Sequence, residues 1–304
     1  MLPICRRGRM LERTNDLIPC LDHGYVKLID VMPHADAVDL SFNTNIADYA
    51  IIDAARVSYQ SGTTRKQSDK QLLRYLMRHW HTSPFEMVEF KFEMRLPIFV
   101  MRQLVRHRTA SLNEESARYS VMEDVFYEPD TLRAQSTTNK QGSAEGDFNP
   151  FIGPRETATA VMNHQTDEAY KLYQQLIEAG VSREQARMVL PVNLYTRVVW
   201  KCDLLNLLKM LRLRLDPHAQ YEIRVFAEAI AEFVKLHCPW TWEAFEDYWQ
   251  GGVSFSKEEI DILRYLIPFT GSESFNAASQ GTKLSKGELL EFQEKFNRIA
   301  NGES

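Results

Sequence analysis

Residues 88–96 read VEFKFEMRL, with Val88, Phe90, Phe92, Met94 and Leu96 alternating with Glu89, Lys91, Glu93 and Arg95. A period of two with one apolar and one charged side predicts a strand that packs on one face and stays wet on the other, as in an antiparallel sheet. HGYVKLIDVM (23–32), YSVMEDVFY (119–127) and LYTRVVWKC (194–202) carry the β-branched and aromatic enrichment of further strands.

Elsewhere the spacing is helical. Pro97 suits a first helical position and opens PIFVMRQLVRHR, residues 97–108. Ser182 and Gln185 read as a capping box for a short helix that must stop near Pro191, and Gly180 ends the long helix before it. Asp216 with Pro217 starts PHAQYEIRVFAEAIAEFVKL, in which Ile223, Phe226, Ala227, Ile230, Phe233 and Val234 recur one turn apart before Pro239. The predicted fold class is α+β, an antiparallel sheet flanked by helices. One stretch has no period: RAQSTTNKQGSAEGDFNP, residues 133–150, predicts a mobile polar loop. Beyond residue 250, SFSKEEIDILRYL and LSKGELLEFQEKFNRI predict two capped helices in a C-terminal appendage.

Composition is ordinary for a globular chain: 304 residues, 44% hydrophobic, 25% charged, formal charge −5. An acidic balance weakens any nucleic-acid reading, because contact with a polyanion would need a local basic patch. No window reaches the roughly 18 to 20 apolar residues of a membrane span, and MLPICRRGRMLERTND lacks a secretory apolar region, so a cytoplasmic protein is expected. The four cysteines, Cys5, Cys20, Cys202 and Cys238, are scattered without a CxxC pair and indicate neither disulfides nor zinc.

The chemistry concentrates in RHRTASLNEESARYS, residues 106–120. Gln103 lies within a turn of Arg106 and His107, so amide, guanidinium and imidazole crowd one helix end. Cations complement a helix C-terminus, which accounts for Arg106, His107 and Arg108 without any function but leaves the following loop unexplained. Guanidinium forks bind phosphate bidentately, while Ser, Asn and Gln read a base edge. Phosphate plus heterocycle is a nucleotide. Glu114 and Glu115 are poor company for polyphosphate but can accept from a ribose hydroxyl.

RHR followed after seven residues by Ser resembles the signature of flavin-dependent thymidylate synthases. AARVSY (54–59), HWHTSPFE (79–86), PIFVMRQLVRHR, EQARMVLPVNLYTR (184–197) and LRLDPHAQYEIR (213–224) resemble further family blocks in family order. The resemblance covers roughly residues 22–250 and leaves residues 1–21 as an N-terminal extension, 133–150 as an insertion and 251–304 as a helical extension.

What the resemblance implies is reductive methylation of dUMP to dTMP, with carbon from 5,10-methylenetetrahydrofolate, hydride from reduced FAD and NADPH as reductant. The cofactor then carries the difficult chemistry and the chain binds and orients. No cysteine nucleophile is needed, and none of the cysteines has the Pro-Cys-His context of the flavin-free enzymes. By resemblance, Arg214 meets the uracil ring and favours its ionised form, with a helix C-terminal cap as its plainer reading. Gln103, Leu104, Val105, Arg106, Glu114, Glu115, Ser116, Ala117 and Arg118 match the dUMP-contacting segment, and Arg187 a further nucleotide-binding arginine. Ser116 is a possible catalytic residue, but with no evident histidine base a positioning role is preferred.

Ser58, His81, Ser83, Glu86, Arg106, His107, Arg108 and Glu114 match flavin-contacting positions, as do Asp203, Lys209 and His218, although Asp203 and Lys209 stand where Asn or His is common. An Asp cannot donate as an Asn can. His79 and His81 lack a third metal ligand at suitable spacing, so no metal is expected. His218 and Glu222, four apart, share a helix face near flavin or folate. The resemblance also implies a homotetramer in which one chain's RHR segment works with another chain's Arg187 and Arg214. Competing readings are a catalytically dead nucleotide- or RNA-binding module and a flavoenzyme that methylates uracil within RNA.

Overall fold

The computed structural model describes residues 17–33, 46–58, 68–137, 140–144, 146–266, 282 and 284–301. The chain divides after Gln250 into two compact units. The larger is built on an antiparallel sheet of β1 (Leu17–Cys20), β2 (Gly24–Met32), β3 (Glu89–Pro97), β4 (Ser111–Glu114) and β7 (Tyr195–Asp203), in the order β1-β2-β3-β7-β4. A separate small ladder joins β5 (Phe151–Ile152) to β6 (Glu156–Thr157).

The alternation along 88–96 decides which side is core. Val88, Phe90, Phe92, Met94 and Leu96 are fully buried, whereas Lys91 is exposed and Glu89 pairs at 2.7 Å with Lys201. Strand β3 runs against β7 from Glu89↔Asp203 to Pro97↔Tyr195, so Val198 and Trp200 fall on the same buried face. That face is covered by α1 (Ile46–Arg56), α2 (Asp69–Arg78), α6 (Leu204–Arg214), α7 (Tyr221–His237) and α8 (Pro239–Phe245). All six periodic residues of α7 are buried, each contributing roughly 1–3 kcal/mol on removal from water.

The structure departs from the sequence pattern in five places. Strand β1 lies inside residues 1–21, so the extension already contributes a strand; its short apolar run LIPC gives no alternation to read. Segment 119–127 is not a strand. Both flanks of β7 are taken by β3 and β4, leaving only a bridge from Phe126 to Leu194, and the Met122 backbone bonds instead to the hydroxyls of Tyr170 and Tyr173 on α4 (Ala158–Glu178).

Helix α7 starts at Tyr221, not Pro217, because Asp216 caps a separate turn through the His218 N–H (2.7 Å). Helix α5 (Arg183–Ala186) begins after Ser182, yet the Ser182 side chain makes no cap; its carbonyl accepts from Gln185 and Ala186 instead. Gly180 does end α4, with φ +87° in the left-handed region. Within 133–150 the described residues form short antiparallel bridges, Leu132↔Phe148 and Gln135↔Ser143, where the sequence predicts a mobile loop. In the smaller unit, α9 (Lys257–Leu266) and α10 (Lys286–Asn301) each open with a reciprocal box, Ser256 with Glu259 and Ser285 with Glu288.

Candidate active site

Strand β3 runs straight into α3 (Ile98–Leu104), with Pro97 as its cap. The helix stops at Leu104, four residues short of the length its sequence predicts. The N–H groups of Val105, Arg106 and His107 close tight turns onto Met101, Gln103 and Leu104, and the chain then leaves as β4 to pair with β7. Strand pairing wins over helix propagation, and it separates three consecutive residues: Arg106 and Arg108 face solvent, while His107 is half-buried.

His107 is held by the last residue of α6. Arg214 donates from Nε to His107 Nε2 (3.1 Å), from Nη1 to Gln103 Oε1 (3.5 Å) and from Nη2 to the Gln103 carbonyl (3.4 Å). Helix α6 is built to deliver this group: Asp203 caps its start through the Asn206 N–H (3.0 Å), and six buried apolar residues lock it on the sheet. Burial, and then the Arg214 charge, push the His107 pKa down to about 4. Burial lowers Arg214 as well. His107 is thus neutral at pH 7 and accepts at Nε2, which places its proton on Nδ1. Arg214 sits in the last turn of α6, yet its guanidinium turns to His107 and Gln103 rather than serving as a plain helix cap.

A second group forms around the turn at 116–120. The Ser116 carbonyl accepts from Tyr119 and Ser120, and its Oγ accepts from the Arg118 N–H (3.3 Å). Glu114 accepts from the Thr196 hydroxyl (2.9 Å), and the Glu115 N–H extends the β4–β7 ladder to Arg197 O. Arg118 pairs with Glu184 (3.3 Å), whose carbonyl accepts from Arg187 Nε. A surface depression of about 440 Å³ lies here, lined by Arg118, Tyr119, Val181, Arg183 and Glu184 among others. Within one chain the structure therefore unites Gln103, His107 and Arg214, and separately Arg118 and Arg187. In each chain α6 ends against that chain's own His107. Leu104 is buried in the core, Val105 is exposed, and Ala117 packs on the smaller core of Met122, Phe126 and Tyr173.

Of the residues matched to flavin positions, Ser58, His81, Ser83, Glu86, Arg106, Arg108, Glu114, Lys209 and His218 are exposed, and His107 and Asp203 are partly buried. Ser58 follows α1; His81 lies two residues before, and Ser83 and Glu86 on, the 3-10 turn Ser83–Met87, which packs against α1 and α6. Lys209 is exposed on α6, and His218 is exposed with Nδ1 2.9 Å from Asp216. Asp203 has both carboxylate oxygens on Asn206, so helix capping occupies it. Among the described residues, Arg106 and Arg108 have no carboxylate partner, a donor set suited to a diphosphate, and no three His, Cys, Asp or Glu side chains come together as a metal site. Sequence reasoning missed Gln220, which accepts from Gln103 Nε2 at 2.5 Å; its only signal was its place in the HAQ block.

The sequence profile described as thymidylate synthase complementing protein matches residues 39–240. The flavin-dependent thymidylate synthase of Thermus thermophilus is 48% identical over 278 residues, 91% of this chain and 95% of that one. The chain belongs to the flavin-dependent thymidylate synthase family. A family member from Ruegeria pomeroyi is 44% identical over 92% of this chain and 88% of its own, and one from Dictyostelium discoideum 45% identical over 90% and 84%. A solved structure described as the UMP/dUMP methylase PolB from Streptomyces cacaoi, bound with 5-Br UMP, superposes with a TM-score of 0.60 at 34% identity, covering 75% of this chain and 95% of that one. The mixed antiparallel sheet and helices of this chain thus have a counterpart in that family neighbour. No helix among the described residues is long and apolar enough to cross a membrane.

Proposed function

We propose that the protein methylates dUMP to dTMP with carbon from 5,10-methylenetetrahydrofolate, using FAD that NADPH reduces, in a homotetramer whose sites are shared between subunits. The observation that carries this reading is Arg214, a partly buried cation fixed by Gln103 and a neutral His107 in a chain of this family. A cation placed where a uracil ring develops negative charge stabilises that charge without reorganising. Because His107 is neutral, the cluster carries one positive charge rather than two, and its field is directed by the guanidinium alone. Arg118, Arg187 and the Ser116 turn supply phosphate- and sugar-binding groups, with Ser116 in a positioning role. Arg106 and Arg108 suit the flavin diphosphate, and His81, Ser83 and Glu86 suit the rim of its rings. The reduced flavin, when bound, would supply the hydride.

The test is to record the visible spectrum of the purified protein after incubation with FAD, reduce it anaerobically with NADPH, and add methylenetetrahydrofolate with dUMP. UMP is run alongside, since a neighbour is described as acting on both. Flavin bands that bleach and return with dTMP formation support the reading. A protein that takes up no flavin and makes no dTMP refutes it.

A further inference from the structure

A buried carboxylate outside this cluster is wired into it. Glu222, 4% exposed, accepts from Arg133 Nη2 (2.5 Å), from the Tyr127 hydroxyl (3.3 Å) and from Gln220 Nε2 (2.8 Å). Gln220 Oε1 accepts from Gln103 Nε2 (2.5 Å), and Gln103 Oε1 faces Arg214 Nη1 (3.5 Å). Arg133 belongs to the polar stretch 133–150, to which the sequence assigns no role. We propose that Arg133 and Glu222 are positioning residues, which fix the direction of the Gln220 and Gln103 amides and through them the placement of Arg214 against His107.

The polarity of the ends dictates the middle. A carboxylate only accepts and a guanidinium only donates, while each amide between them has two orientations of equal shape. With Glu222 ionised, Gln220 must aim Nε2 at it and present Oε1 to Gln103. Gln103 must then donate and leave its own Oε1 for Arg214. Every link has one allowed sense, and the last, Arg214 Nε to His107 Nε2, selects the His107 tautomer. Tyr127 stays a donor, because burial and the Glu222 charge raise its pKa far above neutrality.

The fold accepts a cost to keep this arrangement. Arg133 Nε is buried with no partner, and its guanidinium lies over the Tyr221 ring at 5.1 Å instead of in water. A buried ion pair is a weak source of stability compared with apolar packing. Orientation of the wired cluster is what this one provides.

The inference rests on the proposed function for what the cluster acts on, so its test is read on His107. Glu222→Gln keeps shape but can donate as well as accept, which frees both amides to flip. In histidine-15N-labelled protein at pH 7, the His107 signals, assigned by their loss in His107→Asn, should move from the Nδ1–H tautomer toward a mixture. kcat should fall on the order of tenfold to a hundredfold. Arg133→Met leaves the buried Glu222 without its counter-charge, which favours the protonated acid and so a group that can donate; it should reproduce the shift and carries the test if Glu222→Gln does not fold, while Arg133→Lys, which keeps the counter-charge, should retain the parent tautomer. An unchanged tautomer in Glu222→Gln or, where that chain does not fold, in Arg133→Met overturns the proposal. A parent protein that makes no dTMP, with the tautomer still shifting in the variants, would refute the proposed substrate and leave the positioning role standing.

Discussion

Half-buried His107 and fully buried Asp48 are titrating groups whose protonation pulls stability in opposite directions. Burial and Arg214 hold His107 near pKa 4 against an ordinary value of 6.5, so between those values the unfolded chain takes a proton that the native one refuses, and acidification destabilises. Asp48, fully buried, accepts from Trp240 N (2.8 Å), Thr241 N (3.0 Å) and the Thr241 hydroxyl (2.6 Å), yet desolvation still raises its pKa from 3.8 to about 6. Here the native state holds the proton that the unfolded chain has lost, so this contribution is present on the acid side and lost as pH rises through 6. Asp48→Asn removes the titration; it also turns an amide NH2 toward one of these donors, a cost that does not vary with pH and cancels in the comparison between pH values. Going from pH 7 to 4.5, the parent should gain roughly 2 kcal/mol relative to Asp48→Asn, measured by urea unfolding of both chains. Parallel stability curves would show that Asp48 does not titrate in this window.

At the scale of an element, the end of α2 explains how HWHTSPFE becomes a rim. The His81 N–H returns to Leu76 O (2.9 Å) and the Trp80 N–H to Met77 O (3.4 Å), a Schellman ending that places Trp80 at φ +58°, where glycine is usual. A tryptophan is kept there by its ring, which stacks on Trp249 at 4.9 Å and 19°. The turn swings His81, Ser83 and Glu86 outward together. Trp80→Ala loses the stack and keeps the backbone cost, so a loss of roughly 1 kcal/mol is expected. Trp80→Gly relieves the left-handed strain and should be more stable than Trp80→Ala by about 0.5 kcal/mol, despite the freer unfolded chain. Thermal unfolding of the two variants decides, and the reverse order would show that the turn is not strained.

At the scale of the molecule, the division after Gln250 and the profile match ending at residue 240 both place the candidate site in the larger unit. The PolB structure bound with 5-Br dUMP is covered over 99% of its length by 77% of this chain, so that fold is complete without the remainder. A chain ending at Gln250 should retain flavin uptake and dTMP synthesis; loss of both would assign the last 54 residues an essential part, the length following from the two chain ends. Shared sites in a tetramer predict a second outcome. Because the RHR segment and Arg187 stand in different groups of one chain, Arg106→Ala and Arg187→Ala chains, each inactive alone, should regain activity when mixed. Verified mixed tetramers with no recovery would mean that each chain's site is its own.

How much was legible in the sequence follows from the range of the forces involved. The β3 alternation, the α7 stripe and Gly180 at the end of α4 were readable, because side-chain periodicity and left-handed backbone are local. So was the donor and acceptor chemistry of RHRTASLNEESARYS, since residue types are legible wherever they sit. Only the tertiary structure decided that 119–127 finds no strand partner, that α3 yields to β4 pairing, and that His107 is neutral. Strand partners, desolvation and the wire from Arg133 to Arg214 join residues up to 117 positions apart, and no local pattern records them. The sequence by itself determined which groups exist and which faces seek burial; the packed sheet decided which of them meet, because dielectric and hydrogen-bond direction depend on neighbours that only folding supplies.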